Sequence, residues 1–426
     1  MKEIVKGKFR FNKAGQGSFY TGRISSPNNE NFCFAYDCGT KSGASFIRNE
    51  ITKYKAELKQ HNVNKLDMLV ISHLDDDHVN QISFLLEDLS ECSRVILPYL
   101  SPLQRLLLAF KQDDLANEED YFSFISNPVD YLISRGVTEI IFLDGDNEEE
   151  NPNQVPSNPI QPSGESQSKI TVDIKLKKIP DGKLELEQTE IKKNQKVGFY
   201  LSNDKIYWGA FWEFYFHNKP QKDEAKKVAE FLVVLSKEFG KPVTEAITGL
   251  LLKEILDARG VIDKTRKVFR KIFGNLNDSG IVMLHSPVQF KNAEFIYKTG
   301  KKYYYEDYRV AKYYRHYWGL NDYCGNLLNG DISLSPYSPY PNYIKEKLQH
   351  VIVFQVPHHG SRHSWNSGVL ADLNSYFPTV AVINYGWGNS HGHPGEIVLE
   401  NLIDNDFKYV LNNQFTKFEY NIKSRV

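Results

Sequence analysis

The 426-residue sequence predicts an α/β fold in which two layers of strands lie between two layers of helices, an αββα sandwich. Three observations lead to this prediction. Apolar strand-like segments alternate with helical ones, strands continue on both sides of a long helical stretch, and the main polar clusters each follow an apolar strand. Because strands resume after the helical stretch, we expect one decorated domain over 1–426 rather than two tandem domains.

The first third of the chain carries the clearest alternation. An apolar strand at 31–37 ends in Asp-Cys-Gly, and the charged, periodic segment 46–61 is typical of a helix with one exposed face. A buried strand at 66–72 stops at His73, and 79–89 has helical spacing. Further strands are predicted at 94–98, 139–143, 280–284, 326–328, 351–356 and 380–384.

Two segments interrupt this pattern. Residues 144–169 are rich in Asn, Pro, Ser and Glu with almost nothing to bury, which predicts a disordered loop insertion. Residues 219–273 have a helical pattern and predict a helical insertion. That insertion would serve substrate recognition or dimerisation, or it would be a structural elaboration without a site.

Composition restricts the function. A net charge of −1 gives no general attraction to nucleic acid or acidic membranes, so any polyanion site has to be a local patch. The four cysteines show no CxxC pairing, which argues against a zinc ribbon or a disulfide framework. The first residues lack the apolar stretch of a signal peptide, and no apolar segment approaches the ~20 residues of a membrane span. We therefore expect a soluble, cytoplasmic protein with no membrane partner.

The segment 71–80, ISHLDDDHVN, places two histidines and three aspartates directly after an apolar strand. So many charges in one tight loop would repel and desolvate one another unless a cation compensates them. The alternative is an acidic, solvated loop. Three more polar clusters follow strands further on, namely Gly330-Asp331, the HHGS at 358–361 and the NSHGHP at 389–394. Strand ends are where a layered α/β fold presents a site.

These motifs, in this order, resemble the metallo-β-lactamase superfamily. More narrowly, they are similar to the hydrolase domain of the DNA-uptake protein ComEC and its free-standing relatives. The resemblance covers roughly 8–100 and 274–420, and it implies a four-layered αββα sandwich with two divalent metal ions. Three shorter stretches match the same pattern: Gly15-Gln16-Gly17, Asp37-Cys38-Gly39 and Asn277-Asp278-Ser279.

The resemblance also implies the metal ligands. They are His73 and Asp75 for the first ion, Asp77 and His78 with either His358 or His359 for the second, and Asp331 as the bridge between both ions.

Two departures from the superfamily pattern affect the first ion. The superfamily usually has a histidine where this chain has Asp75, and a carboxylate shifts the preference from zinc toward manganese or magnesium. We expect zinc or manganese. A further histidine usually precedes the strand that leads to Gly-Asp, but 277–279 stands there, and neither His217 nor His285 is a match. The first site would then be weakly occupied or completed by water.

Two cations ~3.5–4 Å apart activate a water and polarise a phosphoryl or acyl oxygen, so no Ser or Cys nucleophile is needed. Asp77 would act in catalysis through its metal. Asn389 and His393 would donate a hydrogen bond to a substrate phosphate or protonate the leaving oxygen. The alternative is that 392–394 only shapes a turn. Ser361, after the histidine pair, is assigned to substrate binding.

Residues 296–318 contain eight tyrosines and six Lys or Arg residues. Cations interleaved with flat rings suit single-stranded nucleic acid, because the cations bind phosphates and the rings stack on bases. The alternative is a tyrosine-rich hairpin or helix face that packs on the core. The candidate substrate-binding residues here are Lys301, Lys302, Tyr303, Tyr304 and Tyr305.

The leading hypothesis is a metal-dependent phosphodiesterase or nuclease that acts on nucleic acid or another phosphodiester. A second is hydrolysis of a small ester, lactone or lactam by the same metals. A third is a non-catalytic interaction protein of a multi-component system. The charged cluster argues against the third hypothesis, since an unused set of like charges only lowers stability.

We predict that replacing Lys301 and Lys302 with Glu weakens nucleic-acid binding and flattens its salt dependence. The slope should fall by roughly 0.7 to 0.9 for each phosphate that the protein no longer neutralises. Binding titrations over a range of salt concentrations measure this slope. Turnover of a small phosphodiester should change little. An equal decrease on both substrates would mean that the segment is structural.

Overall fold

The computed structural model describes residues 4–112, 115, 117–145, 170–175, 178–179, 195–202, 205–219, 225–273, 280–288, 291–299, 313–317, 325–335, 340–373 and 379–425. Within these ranges the protein is an α/β sandwich, as the sequence predicts. Two sheets face each other across an aromatic core, and helices cover both outer faces.

The strands, in chain order, are β1 (Ile4–Phe11), β2 (Gly17–Ser25), β3 (Asn31–Thr40), β4 (Lys65–Leu66), β5 (Met68–Val70), β6 (Glu91–Pro98), β7 (Val137–Asp144), β8 (Val172–Ile174), β9 (Lys178–Ile179), β10 (Lys196–Leu201), β11 (Lys205–Trp208), β12 (Trp212–Lys219), β13 (Gly280–Pro287), β14 (Lys291–Thr299), β15 (Tyr313–Tyr317), β16 (Gly325–Leu328), β17 (Val351–Gln355), β18 (Val380–Asn384), β19 (Lys408–Asn412) and β20 (Phe418–Arg425).

The helices are α1 (Ala44–Gln60), α2 (Asp76–Val79), α3 (Ile82–Leu86), α4 (Pro102–Lys111), α5 (Glu118–Ser126), α6 (Pro128–Ile133), α7 (Ala225–Phe239), α8 (Gly249–Asp257), α9 (Arg259–Phe273), α10 (Asn342–Leu348), α11 (Gly368–Leu373) and α12 (Glu396–Asp404). A 3-10 turn spans His358–Gly360. Among the described helices, none combines the length and the apolar character needed to cross a membrane.

Each sheet contains a block of parallel strands. The first sheet runs β15-β14-β20-β1-β2-β3-β5-β6-β7-β10-β9, with β4 beside β6, and its strands from β3 to β10 along this path are parallel. The second sheet runs β19-β18-β17-β16-β13-β12-β11-β8, with β16 to β19 parallel. The carboxyl ends of parallel strands share one edge, which is where α/β sheets bind ligands.

Three apolar layers separate the four structural layers. The inner one holds aromatic side chains from both sheets, among them Phe9 and Phe34 from the first and Trp212 and Phe214 from the second. An outer layer packs α1 and α3 to α9 on the first sheet. Another packs α10, α11 and α12 on the second sheet. Burial of apolar surface on this scale, at ~25 cal/mol per Å², is what holds the sheets at a fixed separation.

The predicted helical insertion contains α7, α8 and α9. The rings of Phe231 in α7 and Phe269 in α9 lie 5.0 and 6.1 Å from that of Phe110 in α4. The insertion leaves from β12 and returns to β13 in the second sheet, yet it joins the helical layer over the first. This packing favours a structural contribution over a free recognition arm.

The structure differs from the prediction of one helix at 79–89. The helical segment begins earlier, at Asp76, and is divided at Asn80-Gln81 into α2 and α3. Both residues at the break are held by β3. The side chain of Asn80 accepts from Thr40 N at 3.1 Å, and Gln81 N donates to Cys38 O at 3.0 Å. Tertiary hydrogen bonds to the adjacent strand therefore override the local helical periodicity.

Several predictions fall on residues outside the described ranges. They are residues 146–169 of the loop insertion, the triplet Asn277-Asp278-Ser279, and the substrate-binding candidates Lys301, Lys302, Tyr303, Tyr304 and Tyr305.

His285 lies at the centre of the core between the sheets and is fully buried. Its Nε2 is 2.9 Å from the Tyr20 hydroxyl, and its Nδ1 accepts from Trp212 Nε1 at 3.2 Å. An acceptor at Nδ1 means that Nε2 carries the proton of a neutral ring. Burial lowers the pKa of His285 to about 3. This histidine is therefore part of the core and is not a metal ligand candidate.

The His285 environment predicts an acid-sensitive core. The pKa of 6.5 in the unfolded chain exceeds the folded value, so the unfolded state binds more protons below about pH 6.5. The free energy of unfolding therefore decreases as the pH is lowered. Between pH 7 and pH 5 this group should cost about 2 kcal/mol of unfolding free energy. Urea unfolding of the wild type and of His285→Asn at both pH values measures the difference. An identical pH dependence in both proteins would contradict this account.

Candidate metal centre

The strand-end motifs of the two sheets meet at one edge of the sandwich. His73, Asp75, Asp77 and His78 follow β5, Asp331 follows β16, and the pair at 358–359 follows β17. In the described part of the chain, three groups have ligand atoms within 4.8 Å of one another: His73, His78 and Asp331; Asp77, His78 and His359; and His73, Asp75 and Asp77. These groups share members, so they form a single cluster.

Asp331 lies at the centre of this cluster. Its Oδ1 is 3.4 Å from His78 Nε2 and 3.7 Å from His359 Nε2. Its Oδ2 is 3.7 Å from His73 Nε2 and 3.9 Å from His358 Nε2. One carboxylate thus offers one oxygen to each of two histidine pairs, which is the geometry expected of a residue between two cations.

All four histidines have Nδ1 engaged in a hydrogen bond. The partners are Ser72 Oγ at 2.9 Å for His73, Asp37 Oδ2 at 2.8 Å for His78, Ser364 Oγ at 2.8 Å for His358 and Asn384 O at 3.0 Å for His359.

The acceptors at His78 and His359 fix the tautomer of those two rings. A carboxylate and a backbone carbonyl accept hydrogen bonds, so in the neutral ring Nδ1 carries the proton and Nε2 keeps the lone pair that a cation needs. The Nε2 atoms of His73, His78 and His359 are buried and have no hydrogen-bond partner. Buried polar atoms are almost always satisfied, so three orphaned imidazole nitrogens facing carboxylates fit a divalent cation.

Asp37, which the sequence marks only through the Asp-Cys-Gly motif, orients this arrangement. Its Oδ1 accepts from Ser72 N at 2.7 Å, and its Oδ2 accepts from Ser72 Oγ at 2.8 Å and from His78. Because Ser72 donates its hydroxyl proton to Asp37, its lone pairs remain for His73 Nδ1. One fully buried carboxylate therefore sets the ring orientation of two candidate ligands.

Two glycines let the strands approach the loop that carries Asp77 and His78. A Cβ on Gly39 would lie 2.5 Å from the Asp77 carbonyl carbon and 2.6 Å from His78 N. A Cβ on Gly17, whose φ is 147°, would lie 2.7 Å from Asp77 O. Any side chain at either position would displace the candidate ligands, which explains the glycines in these two motifs.

The histidine pair after β17 has strained backbone geometry. His358 and His359 adopt left-handed conformations with φ of 48° and 55°. Such positions cost of order 1–3 kcal/mol each and persist where the surroundings hold them. Here His358 N donates to Gly330 O at 2.9 Å, which ties the pair to the residue before Asp331.

The electrostatic field of the cluster favours positive charge. Burial lowers the pKa of His78, but the carboxylates of Asp331 and Asp37 raise it to a net value well above 6.5. The pKa of His359 is raised in the same way against the effect of burial. Burial raises the pKa of Asp331, yet the surrounding histidines bring it well below its usual range. Stabilised imidazolium and carboxylate charges indicate a site suited to cations.

Two lysines contact the aspartates of the 75–77 run. Lys111 Nζ, at the end of α4, is 2.6 Å from Asp75 Oδ2. Lys41 Nζ is 3.5 Å from Asp76 Oδ2, and Asp76 is fully buried. Asp76 is in none of the three groups, so it contributes to the loop rather than to the cluster.

His393 lies at the rim of the cluster. Its ring centroid is 5.9 Å from that of His358 and 6.2 Å from that of His359, and its Nδ1 is 3.4 Å from Gln16 Nε2. Burial and the neighbouring histidines lower its pKa to about 4, so the ring is neutral at pH 7 and offers one N–H donor. The structure thus brings His393 beside the candidate ligands.

Asn389 uses its side chain within its own loop. Its Oδ1 accepts from His391 N and His393 N at 3.0 Å each, and its Nδ2 donates to Gly386 O and His393 O at 2.8 and 2.7 Å. Ser361, the remaining described candidate, is buried after the histidine pair, with its N–H donated to His358 O at 2.8 Å. Ser361 therefore adjoins the histidine pair, and Asn389 holds the loop that carries His393.

Comparison with known proteins adds little beyond the geometry. No family model and no curated protein matches the chain. Among solved structures, the chain is similar to a crystal structure of a long form RNase Z from yeast, with 8% sequence identity and a TM-score of 0.32. The match covers 89% of this chain and 36% of that one, so the chain spans about a third of that protein's length. A likeness this weak carries no argument about substrate or activity.

The role of Asp37 can be tested without changing a candidate ligand. Asp37→Asn preserves the side-chain shape but replaces an acceptor with a donor, so metal affinity should fall about 10- to 100-fold. Chelator competition on folded protein measures this affinity. Asp67→Asn is the matched control, because Asp67 is also buried and accepts from Cys33 N at 2.8 Å, in the first sheet but outside the cluster. Equal decreases in both variants would contradict the role of Asp37.

Proposed function

We propose that the protein is a metal-dependent hydrolase of phosphodiesters, most simply a nuclease, that uses a dinuclear site. The observation that carries the proposal is the set of four histidines whose Nδ1 atoms are engaged and whose Nε2 atoms face the two oxygens of Asp331. Orientation of this kind serves metal binding and has no use in a solvated acidic loop.

The geometry supports a division of the ligands between two ions. We assign His73 and Asp75 to the first ion and Asp77, His78 and His359 to the second. The choice of His359 over His358 for the second ion rests on its 3.3 Å distance to Asp77 Oδ2. His358 faces the other oxygen of Asp331 and would lie nearer the first ion. Asp331 would be shared by both.

Divalent ions held there would supply Lewis-acid activation of a water and of the phosphoryl oxygens, as zinc or manganese does in such sites. The chain's own residues then orient the substrate. His393 donates a hydrogen bond from the rim to a phosphate oxygen, and Asn389 keeps its loop in place. Ser361 follows the turn that carries the histidine pair and contributes to substrate binding.

Several features support a phosphodiester over a neutral ester, lactone or lactam. The motif set is similar to a hydrolase domain associated with DNA uptake, and carboxylate-rich ligation suits ions that bind phosphate oxygens. Lys111 and Lys41 pair with Asp75 and Asp76, so they reduce the negative charge of this loop and its repulsion of an anionic substrate. The cytoplasm is the expected compartment for such an enzyme.

The proposal predicts that Asp77→Asn and Asp331→Ala reduce hydrolysis to background while the protein stays folded. Asp77 lies in α2 and Asp331 follows β16, both outside the three apolar layers, so their replacement affects metal binding rather than packing. The assay compares single-stranded DNA, duplex DNA, RNA, bis-p-nitrophenyl phosphate and a chromogenic lactam, each with manganese or zinc.

Asp120→Asn is the control, because Asp120 is a carboxylate paired with Arg135 away from the cluster. It should retain wild-type turnover. Wild-type turnover in either ligand variant would refute the assignment. Turnover of the lactam alone would favour the small-molecule alternative.

A further inference from the structure

Three aromatic side chains are exposed near the candidate metal centre. Phe46, Trp387 and Phe415 have 37%, 61% and 50% of their surface accessible. They come from the first turn of α1, the loop after β18 and the loop between β19 and β20. Burial of such rings is normally favourable, so exposure of three together points to a binding surface.

Contacts join the three segments into one surface, here called the aromatic surface. The rings of Phe46 and Phe415 meet edge to face with centroids 5.6 Å apart. Trp387 N donates to Gln414 Oε1 at 2.8 Å, and Gln414 Nε2 donates back to Trp387 O at 3.1 Å. Gln414 precedes Phe415, so two of the aromatic residues are held through a reciprocal pair of hydrogen bonds.

This surface is continuous with the candidate metal centre. Gly386, which precedes Trp387, donates its N–H to Gln16 Oε1 at 3.1 Å. The other end of the Gln16 amide lies 3.4 Å from His393 Nδ1. The loop 386–393 therefore carries an exposed tryptophan at one end and the rim histidine at the other, and one glutamine side chain spans the two.

A lysine adjoins Gln16, whose side chain contacts this loop. Lys41 is exposed, and its backbone N–H donates to Gln16 O at 2.6 Å. Its ammonium lies 3.5 Å from Asp76, within the loop of candidate ligands. Lys41 and the loop that carries Trp387 thus both adjoin Gln16 at the edge of the site.

We propose that the aromatic surface binds a nucleobase of the substrate next to the scissile phosphodiester. This inference rests on the proposed function and specifies its substrate as single-stranded nucleic acid or a nucleotide-containing diester. Base stacking on aromatic side chains tolerates any sequence, because every base has a π-face, and Lys41 would contact an adjacent phosphate. A protein partner seated here would cover the loop that leads to His393, whereas a substrate strand would pass along it.

The test measures binding separately from turnover. A labelled single-stranded oligonucleotide and an abasic strand of equal length are titrated by fluorescence anisotropy, in the Asp77→Asn background to prevent cleavage. The affinity ratio of the two strands reports base recognition. Trp387→Ala should lower this ratio about 5- to 150-fold, the equivalent of one stacked base. Trp387→Phe keeps a ring and should retain most of the ratio.

Ile403→Ala is the matched control, because Ile403 is 56% exposed on α12 and lies outside the aromatic surface. It should leave the ratio unchanged. An unchanged ratio in Trp387→Ala overturns the inference, and a simultaneous change of oligomeric state in size-exclusion chromatography would identify the surface as a protein interface. Failure of the proposed function would give a different result. The wild type would then bind the two strands with different affinities but hydrolyse neither.

Discussion

The carboxylate of Asp331 stands between four imidazoles, and the candidate centre depends on this contact. Two of these histidines come from the first sheet and two, with Asp331 itself, from the second. Their meeting requires that the sheets hold a fixed separation at this edge. The Tyr36 hydroxyl bonds to Ile281 O at 2.6 Å and Ile281 N to Ser72 O at 2.7 Å, which joins the sheets directly below the cluster. The aromatic core behind them, with His285 inside it, supports the same spacing.

The same contact would be costly without a cation. Asp331, His73, His78 and His359 are each no more than 7% exposed, so water compensates little of their charge. In a medium of low dielectric, unpaired charges and orphaned nitrogens destabilise the fold by several kcal/mol. The surrounding structure nevertheless reinforces the arrangement, through buried Asp37 and the strained pair at 358–359. The helical insertion also supports the arrangement, because it packs on α4. Lys111, the last residue of α4, contacts Asp75.

Sequence patterns predicted the layered fold and the residues that form the cluster, for physical reasons. Apolar periodicity indicates which residues are buried, and His-Asp clusters after strands indicate a functional site. The patterns could not choose between His358 and His359, since that choice rests on the distance from His359 to Asp77, which only the fold determines. From the sequence, Asp37 could be predicted only as the end of a strand, not as the partner of His78. The contact of Lys111 with Asp75 could not be predicted, because it depends on where α4 ends. The role of Trp387 likewise depends on the fold. The fold brings α1 and the loop between β19 and β20 beside the loop that carries Trp387.

Metal content measures the central claim most directly. The purified protein would be loaded separately with manganese and zinc, dialysed and subjected to elemental analysis, beside Asp331→Ala treated identically. The account predicts close to two ions per wild-type chain and at most one in the variant, because the variant lacks the carboxylate that faces both histidine pairs. A well-folded wild type that retains no ion under any loading condition would contradict it.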